Sequence, residues 1–171
     1  SGLNTAIARA QTPYIGCLDA DSFVDPSALK EIVAHFTHEQ TGAVTASLSV
    51  HQPKGWLERM QQAEYLMGIS FRHILASVNG LHVTPGPFTI YRTAMFQAIG
   101  GFRAAHNTED MEIALRMQKE GWRIENAPRA RVYTTVPTTI RALIKQRTRW
   151  TTGFIRNGID YRTLFLNPSH G

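Results

Sequence analysis

The sequence predicts a single α/β domain in which a mixed or parallel sheet lies between helices. The chain has 171 residues, of which 43% are hydrophobic and 18% are charged, as is typical of one globular domain. The apolar segment 15–18 predicts a strand, and 26–38 carries apolar residues at helical spacing after a capping Asp25. The Val- and Thr-rich segment 42–50 predicts a second strand, parallel to the first if the helix is a crossover.

The other elements are predicted from periodicity and from the positions of Gly and Pro. The apolar side chains of the longest helix are expected to face the core. The predicted elements are a helix at 1–10, a long helix at 56–78, a short β pattern within 81–91, a short helix at 93–99, a helix from 108 to about 120, short strands at 122–126 and 130–135, and a helix from 138 or 139 to about 150.

Composition narrows the classes of partner. The formal net charge is +5, and Lys and Arg are concentrated from Arg116 onward, so this half of the chain suits phosphates, nucleic acid or anionic lipid. We expect no nucleic-acid partner, because the sequence has neither a recognisable nucleic-acid motif nor aromatic residues interleaved along a basic stripe. The single cysteine, Cys17, excludes an intramolecular disulfide. No apolar run is long enough to cross a bilayer.

Two carboxylates, Asp19 and Asp21, directly follow the first predicted strand. Side chains alternate along a strand, so residues two apart point the same way and can reach one bound cation. Mg²⁺ and Mn²⁺ favour carboxylate oxygens, and at phosphate sites they are usually held by one or two carboxylates together with the phosphates. The pair therefore indicates a cation site for a nucleotide diphosphate. The alternative is that both residues cap the loop before the next helix.

Two further segments are candidates for a ligand or catalytic site. One precedes the predicted helix at 108–120, and the other is the start of that helix. Gly86 lies between two prolines, which suits a backbone that passes close to a ligand and equally suits a plain turn. Glu109 and Asp110 follow Thr108, the expected N-cap. Because the helix dipole favours carboxylates at this position, a structural role for them is as well supported as a catalytic one.

Gln146, Arg149 and Trp150 share one face of the last predicted helix, since they are three and four residues apart. Together they suit a sugar ring, because an indole can stack on its C–H face while the amide and guanidinium supply hydrogen bonds or a phosphate contact. The alternative is a packed tryptophan beside an arginine whose stem lies along the surface.

Four segments of the chain resemble the processive family-two glycosyltransferases, the group that includes cellulose, chitin, hyaluronan and poly-N-acetylglucosamine synthases. They are Asp19-Ala20-Asp21, the segment 86–92, Thr108-Glu109-Asp110 and the segment 146–150. The motifs D-x-D, T-E-D and Q-x-x-R-W in this order are far more specific than any one alone, and they cover nearly the whole chain.

The resemblance implies a GT-A-like (Rossmann-like) fold, in which a mostly parallel mixed sheet between helices binds a nucleotide sugar at the carboxyl ends of its strands. It implies that Asp19 and Asp21 hold Mg²⁺ or Mn²⁺ and the donor diphosphate, and that Gly86 belongs to the donor or acceptor site. It also implies that the chain begins after the strands that bind the nucleotide base.

On the acceptor side, the resemblance implies that Asp110 is the general base that deprotonates the acceptor hydroxyl, with Glu109 beside it. Gln146, Arg149 and Trp150 match the residues that hold the acceptor sugar and the donor diphosphate. Direct displacement at the anomeric carbon would invert its configuration.

The expected function is transfer of a sugar from a nucleotide-diphosphate sugar to a growing β-linked polysaccharide or another glycan. We expect the transfer to invert the anomeric centre and to depend on a metal, with a UDP-sugar as the donor. The alternative is a non-catalytic module that binds glycan or a membrane surface. We expect a partial catalytic core at 1–150 and an interfacial segment at 151–171 that leads to membrane helices. The chain would then be the cytosolic part of a longer protein at the cytoplasmic face of the inner membrane, and need not be active alone.

Overall fold

A computed structural model describes residues 2–103 and 105–165. Helices and strands alternate along much of the chain, as the sequence predicts. The elements in chain order are α1 (Gly2–Arg9), β1 (Tyr14–Cys17), β2 (Ser22–Val24), α2 (Ala28–Val33), β3 (Thr41–Val50), α3 (Trp56–Ser77), β4 (Thr89–Arg92), α4 (Thr93–Ala98), α5 (Glu109–Lys119), β5 (Arg123–Thr134), α6 (Ile140–Asp160) and a 3₁₀ turn (Arg162–Leu164).

The five strands of the described residues form one mixed sheet in the order β1-β4-β3-β5-β2. Strands β1, β3 and β5 run in one direction, whereas β4 and β2 pair antiparallel with their neighbours. The predicted α/β class and mixed sheet are therefore confirmed. As predicted, β1 and β3 run in the same direction, although β4 returns from α3 and inserts between them.

The observed elements differ from the predicted ones in several places. Helix α2 ends at Val33, five residues before the predicted end. The short edge strand β2 was not predicted. The two strands predicted at 122–126 and 130–135 form the single strand β5, in which residues 128–130 bulge between the positions paired with Ala46 and Ser47. Pro128 has no N–H to donate to the ladder, so a bulge accommodates it without ending the strand.

Strand β3 lies at the centre of the core and is buried at nearly every position. One of its faces, which includes Ala43, packs with α1, α4, α5 and the end of α3. The other face, which includes Val44, packs with α2. A strand covered on both sides is buried along its whole length, so even the polar Thr45 and Ser47 are buried here.

The prediction that the apolar side chains of α3 face the core is wrong for most of them. Only Leu57, Gln61 and Ala76 are buried within it, because the helix rests on the sheet along one narrow face. Its exposed large apolar residues are Trp56, Met60, Leu66, Met67, Phe71 and Ile74.

Helix α6 continues without a break past Trp150, the predicted end of the last helix of the catalytic core. Residues 166–171, the end of the predicted interfacial segment, lie outside the described residues. Within 2–103 and 105–165, no helix is long and apolar enough to span a bilayer.

Candidate active site

Asp19 and Asp21 lie in the short loop between β1 and β2, and both are exposed. The hydroxyl of Thr135, just after β5, donates a hydrogen bond of 2.7 Å to Oδ2 of Asp21. Desolvation by the surrounding protein, and then the charge of Asp21, raise the pKa of the Asp19 carboxyl above its usual range. The structure therefore brings the two predicted carboxylates close enough to interact, just after the carboxyl end of β1.

The backbone of Gly86 lies directly against the carboxylate of Asp19. A Cβ at residue 86 would lie 3.1 Å from both Oδ1 and Oδ2 of Asp19. The loop is held in shape by hydrogen bonds from Phe88 N–H to the Gly86 carbonyl, 2.8 Å, and from the Thr89 hydroxyl to the Pro85 carbonyl, 2.7 Å. Glycine thus leaves the space that the Asp19 carboxylate occupies.

The same loop also contacts the backbone of Asp110, the candidate base, through Thr84. Its N–H and its hydroxyl both donate to the backbone carbonyl of Asp110, at 3.0 and 2.8 Å. The buried Tyr91 hydroxyl donates to the Thr84 hydroxyl at 3.0 Å. One loop, residues 81–88, therefore joins the Asp19 carboxylate to the start of α5.

Asp110 is half-buried in the first turn of α5, and Oδ1 accepts a hydrogen bond of 3.0 Å from the Met111 N–H. Burial raises the pKa of the Asp110 carboxyl, and the charge of Glu109 raises it further. The backbone hydrogen bonds and the Arg149 guanidinium act in the opposite direction without cancelling the rise. A raised carboxyl pKa is the environment that suits a general base working near neutral pH.

Helix α6 packs directly on the start of α5. A Cβ at Gly153 would lie 2.3 Å from the Thr108 side chain, so only glycine permits this approach. The Asn157 amide donates a hydrogen bond of 2.8 Å to the Thr108 hydroxyl. Thr108 is at the predicted N-cap, but its side chain makes no capping hydrogen bond and instead joins the two helices.

Of the three predicted α6 residues, Arg149 is the one whose charge acts on the candidate base. It is in electrostatic contact with Asp110, and Nη1 donates to the Asn107 carbonyl at 3.2 Å. Trp150 is half-buried, and the Arg147 guanidinium lies 4.4 Å above its ring centroid. The buried Oε1 of Gln146 has no hydrogen-bond partner in the described part of the chain.

Several residues near these groups were not singled out from the sequence. Thr84 and Thr135 position the carboxylates, but a lone Thr in a loop gives no signal of such a bond. Arg147 donates a hydrogen bond of 2.8 Å to Glu64 and so links α6 to α3. Tyr65 of α3 packs on the core, and the charge of Asp21 acts on its hydroxyl.

The carboxylates fit a hard divalent cation, since their oxygens are the donors that Mg²⁺ and Mn²⁺ favour. The described residues contain no cluster of three or more His, Cys, Asp and Glu side chains that could enclose a metal. Two carboxylates in an open loop suit a cation whose other ligands are phosphates and water.

Comparison with known proteins identifies the family. The model of glycosyl transferase family group 2 matches residues 14–170. Poly-beta-1,6-N-acetyl-D-glucosamine synthases of Staphylococcus aureus (strain COL) and Staphylococcus epidermidis are each 30% identical over 155 residues, 90% of this chain and 38% of theirs.

A solved structure has the same fold, the GT-A type. It is a mannosyltransferase from Pyrobaculum calidifontis in complex with GDP-Man and Mn²⁺, and the TM-score is 0.72 at 19% identity over 92% of this chain and 41% of that one. The chain spans only 38% of the length of the synthases it matches. By its sequence and its fold, the chain belongs to glycosyl transferase family group 2.

Proposed function

We propose that the protein transfers a sugar, with inversion, from a nucleotide-diphosphate sugar to a growing β-linked glycan. The observation that carries this proposal is the loop 81–88, which contacts the Asp19 carboxylate through Gly86 and the start of α5 through Thr84. In this proposal the diphosphate site and the base lie on two sides of one short segment.

Asp19 and Asp21 are the residues that would hold Mg²⁺ or Mn²⁺ with the donor diphosphate. A bound divalent cation would offset the negative charge that develops on the leaving diphosphate. The Thr135 hydroxyl fixes one oxygen of Asp21 at 2.7 Å and so orients the carboxylate. The Mn²⁺ bound in the mannosyltransferase supports a metal-dependent reaction. We propose UDP as the leaving nucleotide, and the synthases make UDP-N-acetylglucosamine the first donor to test.

Asp110 accepts the proton of the acceptor hydroxyl as that oxygen attacks the anomeric carbon. The raised pKa of its carboxyl brings its basicity closer to that required near neutral pH. Glu109 beside it is exposed and adds negative charge. Attack on the side opposite the leaving diphosphate inverts the anomeric centre.

Gln146, Arg149 and Trp150 hold the acceptor sugar on the side of α6. The charge of Arg149 acts on the Asp110 carboxyl, where it partly opposes the rise in pKa that burial causes. A group bound by Arg149 would therefore lie beside the base. Because Arg147 covers one face of the Trp150 ring, we expect the sugar to stack on the other face. Oε1 of Gln146 is buried without a hydrogen-bond partner among the described residues, so a sugar hydroxyl that reached it would donate a hydrogen bond to it.

Helix α6 also supports contact with a membrane surface. Its residues Ile140, Ile144, Ile155 and Ile159 are each more than half exposed. No acidic residue occurs in the helix before Asp160, and the exposed basic residues beside the apolar stripe are Arg141, Lys145 and Arg156. A basic amphipathic helix of this kind binds anionic membrane surfaces. We propose a position at the cytoplasmic face of the inner membrane, within a longer protein.

Isothermal titration of UDP tests the donor site. We expect the wild-type protein to bind UDP only with Mg²⁺ or Mn²⁺ present, and Asp21→Ala to lose that metal-dependent binding, since a carboxylate cluster and a diphosphate repel each other without a cation. Glu39→Ala, which removes an exposed carboxylate elsewhere, is the control. Unchanged affinity of Asp21→Ala for UDP, with or without metal, would contradict the proposal.

A further inference from the structure

Arg72, in the middle of α3, has an edge of its guanidinium without a partner. Nε and Nη2 are both buried, and neither has a hydrogen-bond partner among the residues that the structure describes. These two nitrogens form the side-on edge with which an arginine donates two parallel hydrogen bonds to a phosphate or carboxylate. The unpaired atoms are therefore the pair suited to bind an oxyanion.

The charge of Arg72 is also uncompensated. Burial lowers the pKa of its guanidinium, and none of the ion pairs in the described ranges includes it. A buried cation without a partner destabilises the folded protein. Buried polar groups that lack a partner within the protein often bind a ligand or ion. For a cation, that ligand would be an anion.

Arg72 lies on the face of α3 that contacts the rest of the protein. Gln61, Tyr65, Gly68 and Arg72 follow one another at intervals of four, three and four residues, so they share the face that lies on the protein. Side chains on a helix lean toward its N-terminus. Accordingly, Nη1 of Arg72 lies 3.6 Å from the point that a Cβ of Gly68 would occupy. The guanidinium thus lies back over Gly68, toward Tyr65.

Tyr65 connects this arginine to the donor carboxylates. The charges of Arg147, Arg72 and Asp21 all act on its hydroxyl. In the described part of the chain, that hydroxyl has no hydrogen bond. The charges of Arg72 and Asp21 thus both reach one phenol, whose hydroxyl has unused hydrogen-bonding capacity.

We propose that Arg72 is a further donor-binding residue, whose Nε–Nη2 edge binds a phosphate group of the nucleoside diphosphate while Asp19 and Asp21 hold its cation. Because protein atoms cover that edge, rotation about the flexible stem above Gly68 exposes it as the donor enters. The inference rests on the proposed function, since it requires a nucleotide-sugar donor at this site.

Titration of UDP and of inorganic pyrophosphate, each with Mn²⁺, tests the inference in the full protein. Arg72→Met keeps the length of the side chain but removes its charge, and it should weaken both ligands roughly tenfold to a hundredfold, the range for a charge-assisted contact. Arg72→Lys should recover part of the affinity. Arg59→Met, at an exposed arginine of the same helix, should leave affinity within about twofold, the usual outcome for a surface site.

Thermal unfolding without ligand separates binding from a structural role. Arg72→Met should unfold at the same temperature as the wild type or higher, because it removes an uncompensated buried charge. A lower unfolding temperature together with unchanged UDP affinity would overturn the inference. A loss confined to UDP, with pyrophosphate unaffected, would overturn the assignment to phosphate.

The same titrations distinguish this inference from the proposed function. If wild-type protein binds UDP and Arg72→Met binds it equally well, the inference on Arg72 fails and the proposed donor site remains. If the wild type binds neither UDP nor pyrophosphate with Mn²⁺, both fail.

Discussion

Thr84 donates two hydrogen bonds to the carbonyl oxygen of Asp110, one from its N–H at 3.0 Å and one from its hydroxyl at 2.8 Å. The buried Tyr91 hydroxyl completes the network by donating to Thr84. Since Gly86 of the same loop lies against Asp19, the position of the candidate cation site relative to the candidate base depends on this short loop.

Substitution of Gly86 tests the contact with Asp19. A Cβ 3.1 Å from both carboxylate oxygens is closer than ordinary van der Waals contact, so Gly86→Ala should displace Asp19. We expect metal-dependent UDP affinity to fall about tenfold, with a loss of stability of about 1 kcal/mol or less. Gly80→Ala is the matched control, because its Cβ would lie 3.5 Å from its neighbours. Equal UDP affinities for the two variants would argue against the contact.

Two glycines of α6 should respond to alanine in opposite directions. Gly153→Ala would place a Cβ 2.3 Å from the Thr108 side chain, and should destabilise the protein by about 1–3 kcal/mol through overpacking. At Gly158, a Cβ meets no atom within 4 Å, so alanine should stabilise the helix by about 0.5–1 kcal/mol. Urea denaturation of both variants measures the two effects. If Gly153→Ala were as stable as Gly158→Ala, α6 would not pack on α5 as described.

The raised pKa of Asp110 predicts how stability depends on pH. Its folded-state pKa lies above its unfolded value, so ionisation of this carboxyl is less favourable in the folded protein than in the unfolded chain. Its contribution to stability is therefore fully present below the unfolded pKa and is lost as the pH rises through the folded pKa. Asn lacks this charge, so Asp110→Asn should unfold a few degrees higher than wild type at pH 7. The difference should vanish below the usual aspartate pKa of about 3.9. Thermal unfolding across pH measures it, and a lower unfolding temperature for Asp110→Asn at pH 7 would contradict the burial of this charge.

Local patterns predicted the elements that carry the motifs. The strand before Asp19, the start of α5 at Glu109 and the face of α6 shared by Gln146, Arg149 and Trp150 all follow from periodicity or from helix signals within a few residues. Contacts set by chain topology were not predictable in this way. The insertion of β4 between β1 and β3 depends on where α3 returns the chain.

The apolar pattern of α3 was misleading for a physical reason. Met67, Phe71 and Ile74 recur at helical spacing as a buried face would, yet each is more than half exposed. Periodicity shows that these side chains share a face but not what the face contacts. The inward face of the same helix instead carries Gln61 and Arg72, polar residues that a pattern of apolar positions assigns to solvent.

The most direct test of the account is the rate of sugar transfer by Asp110→Asn, measured beside its affinity for donor. The amide keeps the shape of the carboxylate but cannot accept the acceptor's proton, so we expect initial rates from UDP-N-acetylglucosamine to fall roughly a hundredfold or more. UDP affinity with Mn²⁺ should stay within a few fold of wild type, because the diphosphate site is formed by other residues. Nearly normal turnover in a well-folded Asp110→Asn protein would show that Asp110 is not the base and would contradict the proposed mechanism.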